Sequence, residues 1–302
     1  MTGAPWPVPE ADDRGVIRIA GSPALRPVAE WLAGTEAVVD LNGADDGLNA
    51  MTAGVAQLAL LDRSAWEQER RPFRVTFGRE ALAIRIGYFG LESEAPTCPP
   101  AVFVHRSNPL GALDTGQIAR IFTRGAGEGD IVHWSQLGVA GPWSARRIHL
   151  YGTRDAGGWA TNSRISRFEG RQFAQHYEPL PDDSDVMGAV AEDRFAIAFV
   201  EAAARRDIAG VRMVPLIAAG RRAGALPTPE AVQRGDYPYP PEMLLYINPA
   251  DRDHRPVISR IVAEALSASR QAELASVRGI AGGVMPLSRR DAEDARMKLA
   301  AP

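Results

Sequence analysis

Residues 16–63 read VIRIAGSPALRPVAEWLAGTEAVVDLNGADDGLNAMTAGVAQLALLDR. Three short apolar runs, at 16–20, 37–41 and 58–61, alternate with segments of helical spacing at 28–33 and 48–53. Ser22 is a favourable helix cap, and a proline in the first helical turn is well tolerated. This β-α-β-α-β order predicts parallel strands with helices on the faces of the sheet. Ligands of such sheets bind outside the carboxyl ends of the strands, where the turns at 21–25, 42–47 and 61–64 fall.

The same strand–turn–helix order returns at residues 151–161, YGTRDAGGWAT. An apolar run ends at Tyr151, a glycine-rich turn follows, and helical spacing continues from 161 to 175. This is the usual layout of an anion-binding turn. Trp159 stands where such a turn usually has a small hydroxyl residue, so the pattern leaves the nature of the ligand open.

Further strands are predicted at 101–105, 195–200 and 211–217, and helices at 114–122, 184–192 and 254–269. We interpret 72–87 as strands, because residues 81–86 alternate between apolar and other side chains. A second strand-like run covers 237–247, and a polar helical tail closes the chain. Strands mixed with helices over the whole length predict an α/β protein with mixed sheets.

The composition limits the class of protein. The 302 residues suggest about two domains of roughly 150 residues each. A net charge of −3 and a pI near 6.0 give no reason to expect binding to nucleic acid or an anionic membrane. The single cysteine, Cys98, excludes an internal disulfide and a cysteine-rich metal site. No window approaches 18 consecutive apolar residues, and the first residues lack the basic and apolar segments of a signal peptide.

Several phrases together resemble the phosphate-binding proteins of bacterial ABC transporters, which are periplasmic solute-binding proteins. Gly21-Ser22 with Pro27 is similar to the first anion loop of that family, and 42–63 to its second and third loops. The phrase SNPL at 107–110, followed by 117–122 and IVHWSQL at 131–137, resembles its SNP…QL..IF…ItNWseL signature. Residues 183–200 resemble its DS..V…AIGYV segment. Each phrase is weak alone, but their order over roughly residues 16–287 is specific.

The resemblance implies two α/β lobes joined by crossover strands, with the ligand held between the lobes. We expect lobe 1 at 14–100 plus 248–287, lobe 2 at 106–236, hinge strands at 101–105 and 237–247, and a helical tail at 288–302. It further implies a monomer without a cofactor or metal, located in the periplasm or secreted after removal of a signal peptide, and partnered with an ABC permease. The ligand is expected to be a small polar or anionic solute, with phosphate or a related oxyanion as the named candidate.

The resemblance also implies the ligand-binding residues. Backbone amides at 21–25 and 155–159 are expected to contact the ligand together with Arg63 or Arg154. Asp62 matches the acidic residue that accepts the proton of protonated phosphate in some members of the family. The complete expected set is Ser22, Pro23, Ala24, Leu25, Ala44, Asp45, Asp62, Arg63, Thr153, Arg154, Gly157, Gly158 and Trp159.

The chain departs from the family at this set. The fourth loop of the family reads Arg-x-Asp-Gly-Ser-Gly-Thr, whereas here Thr153 holds the Arg position and Trp159 the Thr position. Hydroxyl donors of the first two loops are replaced at Pro23, Ala24 and Ala44. A hydrogen bond to a charged group contributes roughly 1.5–3 kcal/mol, so losing two or three donors costs on the order of 3–9 kcal/mol. That corresponds to about two to six decades of affinity.

Alternatives therefore stay open for the function and for single residues. The chain is a solute receptor for uptake, or a divergent relative that binds another molecule, senses it or contacts a protein; an enzyme recruited from the scaffold is a third reading. Trp159 covers a ligand or packs as a helix-start residue, Arg154 and Asp155 bind a ligand or form an exposed turn pair, and Asp62 contacts a ligand or caps a turn. The five histidines lack metal-ligand spacing, and no nucleophile or nucleotide-binding motif is present, so we expect no catalytic residues.

Overall fold

A computed structural model describes residues 16–92, 95–156, 158–204 and 208–300. The chain forms two compact units. Unit 1 holds the described residues up to 86 together with 244–277 and those from 292 onward, and unit 2 holds 87–243 and 278–291. Each unit has its own apolar core, and a five-stranded sheet lies entirely within unit 2.

The first part of the chain alternates strands and helices, as predicted. The elements are β1 Ile17–Gly21, α1 Arg26–Ala33, β2 Ala37–Asp40, α2 Ala44–Thr52, β3 Leu58–Leu61, α3 Glu67–Phe77 and β4 Leu82–Phe89. Strand β1 pairs in parallel with both β2 and β3. The parallel β-α-β-α-β unit predicted from residues 16–63 is therefore confirmed.

The middle of the chain builds unit 2. Its elements are β5 Pro100–His105, β6 Leu113–Asp114, α4 Thr115–Phe122, β7 His149–Thr153, α5 Gly158–Arg167, β8 Tyr177–Leu180, α6 Asp183–Glu192, β9 Ala196–Glu201, β10 Val211–Val214, β11 Leu216–Ile217 and α7 Pro229–Gln233. The last part of the chain contains β12 Glu242–Ile247, α8 Arg255–Ala265, α9 Ala268–Leu274, β13 Val284–Met285 and α10 Arg289–Ala300.

Both large sheets mix parallel and antiparallel pairs. The first has the order β13-β4-β12-β3-β1-β2, and the second has the order β10-β5-β9-β7-β8; β11 and β6 form a two-stranded sheet. In the second sheet β9, β7 and β8 are parallel, whereas β5 is antiparallel to both β9 and β10. The carboxyl ends of β7, β8 and β9 therefore meet at one edge of unit 2.

Helix α6 anchors that edge to the core of unit 2. The Asp182 side chain accepts a hydrogen bond from the Asp185 amide at 3.0 Å and caps the helix. Val186, Met187 and Val190 on the inner face are fully buried against the sheet. Burying an aliphatic side chain of this size contributes roughly 1.5–3 kcal/mol, so the start of α6 is held firmly in place.

Two local predictions were wrong. Residues 72–77, interpreted as the first part of a strand region at 72–87, are helical, and Pro72 lies inside the helix Glu67–Phe77. The alternating residues of that region lie almost entirely in strand β4. Glu69 accepts a hydrogen bond from the Trp66 amide and caps the helix start, which offsets part of what the proline costs. The helix predicted at 161–175 begins at Gly158 and ends at Arg167, because Glu169 and Gly170 have left-handed φ values of 55° and 73°.

The expected lobe boundaries differ from the observed units. We expected the first crossing at 101–105, but β5 lies inside the sheet of unit 2, paired with β9 and β10. The units instead divide between residues 86 and 87, within β4, and between 243 and 244, within β12. Residues 278–287 belong to unit 2 rather than to the first lobe, and the tail from 292 belongs to unit 1. Strand β5 is apolar because it lies inside the sheet and is buried on both faces. An apolar run of this kind has the same sequence pattern as a strand that crosses between lobes.

Within the described ranges, no helix is long and apolar enough to cross a membrane.

Candidate functional site

Gly21 shapes the first expected ligand loop of unit 1. Its φ is 135°, and a Cβ placed there would lie 2.0 Å from the Leu60 carbonyl oxygen. Only glycine fits this position without displacing backbone. The amide of Ser22 then donates to the same Leu60 oxygen at 2.9 Å, and the Gly43 amide donates to the Gly21 oxygen at 3.1 Å. These bonds bring the loops after β1, β2 and β3 together, as predicted from the order of strands.

The side chains after β1 offer little to an anion. Pro23 has no amide hydrogen, and Leu25 is fully buried while its amide donates to the Ser22 oxygen at 3.0 Å. Leu25 is therefore unavailable to a ligand, which corrects our expectation. Ala24 keeps a half-buried position in the short helical turn Pro23–Leu25.

Ser22 and Asp62 contact each other. The Ser22 hydroxyl donates to a carboxylate oxygen of Asp62 at 2.9 Å, and Ser22 is buried. A hydroxyl carries one hydrogen, so in this arrangement Ser22 can only accept a further hydrogen bond. A fully ionised oxyanion has no hydrogen to donate, so this pair does not suit it.

Arg63, an expected anion contact, is occupied by neighbouring acceptors. Its two terminal nitrogens donate to both carboxylate oxygens of Glu69 at 2.8 Å, to the Ser64 oxygen at 3.1 Å and to the Asp45 carboxylate. Burial alone would lower the pKa of Arg63, but the hydrogen bonds and charges of Glu69 and Asp45 raise it above the usual value. The guanidinium also lies 4.2 Å from the centre of the Trp66 ring.

All four terminal N–H groups of Arg63 are therefore used within unit 1. Asp45 was expected in a ligand loop as well, but α2 begins at Ala44, so both residues lie in the first helical turn. The carboxylate of Asp45 pairs with Arg63 and is otherwise exposed.

The loop at 153–159 in unit 2 is fastened by its own polar groups. The Tyr177 hydroxyl donates to the Thr153 oxygen at 2.7 Å. The Asp155 carboxylate accepts from the Thr161 hydroxyl and from Arg164 Nε, both at 2.6 Å. Asp155 thus ties the loop to α5 through Thr161 and Arg164, which differs from the exposed turn pair with Arg154 that we considered from the sequence. Gly157 lies outside the described residues.

Trp159 is half-buried in the first turn of α5. Its ring packs against Phe199, with ring centres 5.3 Å apart, and Phe199 in turn contacts Phe168 and Tyr239. The same side chain lines a pocket. Trp159 therefore packs in an aromatic cluster and also faces open space, and its role as a cover for a ligand stays a prediction.

The pocket lies at the carboxyl ends of β7, β8 and β9 and has a volume of about 720 Å³. Three expected residues line it: Thr153, Arg154 and Trp159. The other lining residues are Ala156, Pro181, Asp182, Asp183, Ser184, Glu201, Ala203, Ala204 and Ile208. The carboxyl edge of a parallel sheet is where α/β proteins bind their ligands, and a pocket of this volume suits a small organic molecule.

Three carboxylates of this pocket were missed by the sequence analysis: Asp182, Asp183 and Glu201. Asp182 and Asp183 follow β8, a strand that we did not predict, and Glu201 ends β9. Burial and the nearby charge of Asp183 raise the pKa of Glu201 to about 7. Burial and the charge of Asp182 also raise the pKa of Asp183. The sequence signal for these residues is an acidic side chain directly after a strand. That signal is not specific for a ligand site, because such a residue also serves as an ordinary helix cap.

Arg154 is exposed and is the one basic side chain among the described lining residues. No hydrogen bond or ion pair of its side chain is present within the described part of the chain. It is therefore available to a ligand. The described residues contain no group of three or more histidine, cysteine or carboxylate side chains placed to hold a metal ion.

Comparisons with known proteins show which family and which solved structures this chain is similar to. Residues 8–267 match the family model described as PBP superfamily domain. The phosphate-binding protein PstS of Pseudomonas aeruginosa is 24% identical over 254 residues, which cover 83% of this chain and 74% of that protein. Among solved structures, PstS from Borrelia burgdorferi has a TM-score of 0.57 at 16% identity, covering 90% of this chain and 99% of that one. An ABC-type phosphate transport receptor from Vibrio cholerae has a TM-score of 0.52 at 18% identity, covering 89% and 99%.

The two solved structures confirm the predicted fold class. At sequence identities of 16% and 18%, the likeness supports the fold and no statement about function.

Proposed function

We propose that this chain, which belongs to the PBP superfamily, binds a small solute in the pocket of unit 2 and no longer has the site of a phosphate receptor. Solute binding rather than catalysis is the class predicted from the sequence, and it is the class that the names of the matched relatives describe. The observation that carries the proposal is the pocket of about 720 Å³, which joins the expected residues Thr153, Arg154 and Trp159.

The position of the loop at 153–159 supports ligand binding there. The start of α5 brings backbone N–H groups and the positive end of the helix dipole to the edge of the sheet. Gly158 removes a side chain beside the pocket, so a ligand can approach the backbone. Arg154 supplies a side-chain donor without an internal partner among the described residues, and Trp159 supplies an apolar face.

The charges near the expected contacts argue against fully ionised phosphate. Arg63 is already satisfied by Glu69 and Asp45, and the hydrogen of Ser22 is given to Asp62. In unit 2, carboxylates outnumber Arg154 among the described lining residues. Two unit charges of the same sign 4 Å apart repel by about 1 kcal/mol in water and about 4 kcal/mol near a protein surface. A dianion would meet this repulsion from more than one carboxylate.

Phosphate or a related oxyanion is the second candidate, favoured by the names of the matched relatives. It requires that protonated carboxyls of the pocket, such as Glu201, donate hydrogen bonds to the anion. The raised pKa of Glu201 supplies such a proton at neutral pH.

We further propose that the chain is a monomer that acts outside the cytoplasmic membrane, in the periplasm or as a secreted protein, and presents its solute to an ABC permease. The transport role of the matched receptor supports this placement. A sensing or protein-contacting role without transport remains the alternative for the same pocket.

Native mass spectrometry of the protein purified from its own source tests the proposal. We expect a small solute to co-purify and to be lost or weakened in Arg154→Ala and Trp159→Ala. Arg222→Ala is the matched control, because Arg222 is exposed in the same unit and does not line the pocket. If both pocket variants retain the solute as well as the wild type does, the loop at 153–159 is only a connector and the proposal fails.

A further inference from the structure

The pocket of unit 2 has an unusual balance of charge for a family whose matched relatives are named for phosphate. Asp182, Asp183 and Glu201 line it together, against the single cation Arg154 among the described lining residues. Asp182 uses one carboxylate oxygen to cap α6. Asp183 and Glu201 are half-buried, so their charges are only partly screened by water.

Burial is costly for these two carboxylates, although Glu201 accepts a hydrogen bond from the Cys98 backbone and is attracted by the charge of Arg167. Taking a carboxylate out of water is unfavourable unless it is paired or hydrogen-bonded, and like charges at close range add to the cost. Burial raises the pKa values of both groups, and so do the charge of Asp182 at Asp183 and the charge of Asp183 at Glu201. A ligand that brings positive charge to them relieves both effects, whereas an anion increases them.

The remaining lining groups indicate an organic cation. Trp159 offers an aromatic ring, and ammonium or guanidinium groups gain roughly 0.5–2 kcal/mol when they lie over such a ring. Ala156, Ala203, Ala204 and Ile208 line the same space and suit a hydrocarbon stem. The carboxylates are not arranged as a metal site within the described residues.

We propose that this pocket recognises the protonated nitrogen group of an organic solute, an ammonium or a guanidinium, through Glu201 and Asp183 with Trp159 beside it. The inference rests on the proposed function, since it names the ligand class of the same pocket. Two sources share this chemistry: a simple organic cation, and a zwitterion whose carboxylate binds Arg154.

Protonation of Glu201 makes the binding depend on pH in a defined direction. Burial and the charge of Asp183 on α6 raise its pKa, whereas a hydrogen bond from the Cys98 backbone and the charge of Arg167 on α5 lower it, with a result of about 7. A cation binds the ionised carboxylate, so binding releases a proton below this pH. Affinity for a cation therefore rises about tenfold between pH 6 and pH 8, following the ionised fraction of a single group.

Isothermal titration calorimetry with agmatine, L-arginine and inorganic phosphate tests the inference. Agmatine and arginine share the guanidinium, which stays charged from pH 6 to pH 8, and differ in the carboxylate. We expect at least one of them to bind, with affinity reduced about 10- to 100-fold in Glu201→Gln and in Asp183→Asn, the range for a lost bond between charged groups. Glu192→Gln, at the exposed far end of α6, is the matched control and should bind as the wild type does.

The outcomes separate the inference from the proposed function. Tighter binding of arginine indicates a zwitterion, and tighter binding of agmatine indicates a simple cation; both support the inference. If neither guanidinium probe binds, or if Glu201→Gln leaves binding and its pH dependence unchanged, the inference is overturned. The proposed function survives that result when the co-purifying solute still depends on Trp159, and it fails separately when the solute does not.

Discussion

Replacing Arg63 by alanine should destabilise the protein rather than abolish ligand binding. Arg63 holds Glu69 through two hydrogen bonds of 2.8 Å, and the two side chains are 11% and 5% exposed. Removing one partner of a buried ion pair leaves an uncompensated charge and costs roughly 3–5 kcal/mol. The contact with Asp45 adds little, because that carboxylate is 78% exposed.

Glu69 keeps one hydrogen bond in the variant, from the Trp66 amide, so we expect the lower part of that range. A loss of about 3 kcal/mol lowers Tm by roughly 6–12 °C in a domain of this size. Differential scanning calorimetry measures the shift directly. Arg70→Ala is the control, because Arg70 lies on the same helix as Glu69 and pairs with the exposed Glu67 at 3.0 Å. This substitution should leave Tm almost unchanged.

A second variant separates buried charge from loss of fold. Arg63→Met combined with Glu69→Gln removes both charges, while the glutamine oxygen can still accept from the Trp66 amide. This double variant should regain at least half of the lost Tm. The reasoning is refuted if Arg63→Ala has the same Tm as the Arg70→Ala control. It is also refuted if Arg63→Ala loses the co-purifying solute at an unchanged Tm, since Arg63 would then be a ligand residue.

Three further outcomes are expected. Micromolar phosphate should leave Tm unchanged in differential scanning fluorimetry, because Arg154 is the single basic side chain lining the described part of the pocket; a rise of several degrees contradicts this. Stability should fall as pH rises from about 4.5 to about 7, since Glu201 binds its proton more tightly in the folded state. Urea unfolding of Glu201→Gln should show a smaller fall over that window, and an unchanged pH profile would count against it. Gly21→Ala should prevent accumulation of folded protein, since its Cβ would lie 2.0 Å from the Leu60 oxygen, whereas Gly34→Ala, with open space around it, should fold with a modest loss of Tm.

Local sequence signals failed where tertiary contacts outweighed them. The strand predicted at 72–87 fails at 72–77, where the cap at Glu69 and the burial of Phe73 keep the chain helical, whereas the alternating residues 81–86 lie almost entirely in strand β4. The helix predicted to 175 ends at Arg167, and the termination signal that we overlooked is Gly170, which adopts a left-handed φ of 73°. Strand β8, Tyr177–Leu180, is short and half-exposed, so it lacks the apolar run by which we recognised the other strands.

The sequence by itself determined the α/β class, the parallel unit of 16–63 and the two places where loops meet a sheet edge. Apolar periodicity, caps and glycines act over a few residues and can therefore be read from the order of residues alone. The tertiary structure decided which of those loop residues are free. Arg63 meets Glu69 on the next helix and Asp45 from a preceding one, while the pocket joins Arg154, Asp183 and Glu201 from three neighbouring strand ends. Charges separated by tens of residues interact only after the sheet order is set, so the ligand class depends on contacts that no local pattern contains.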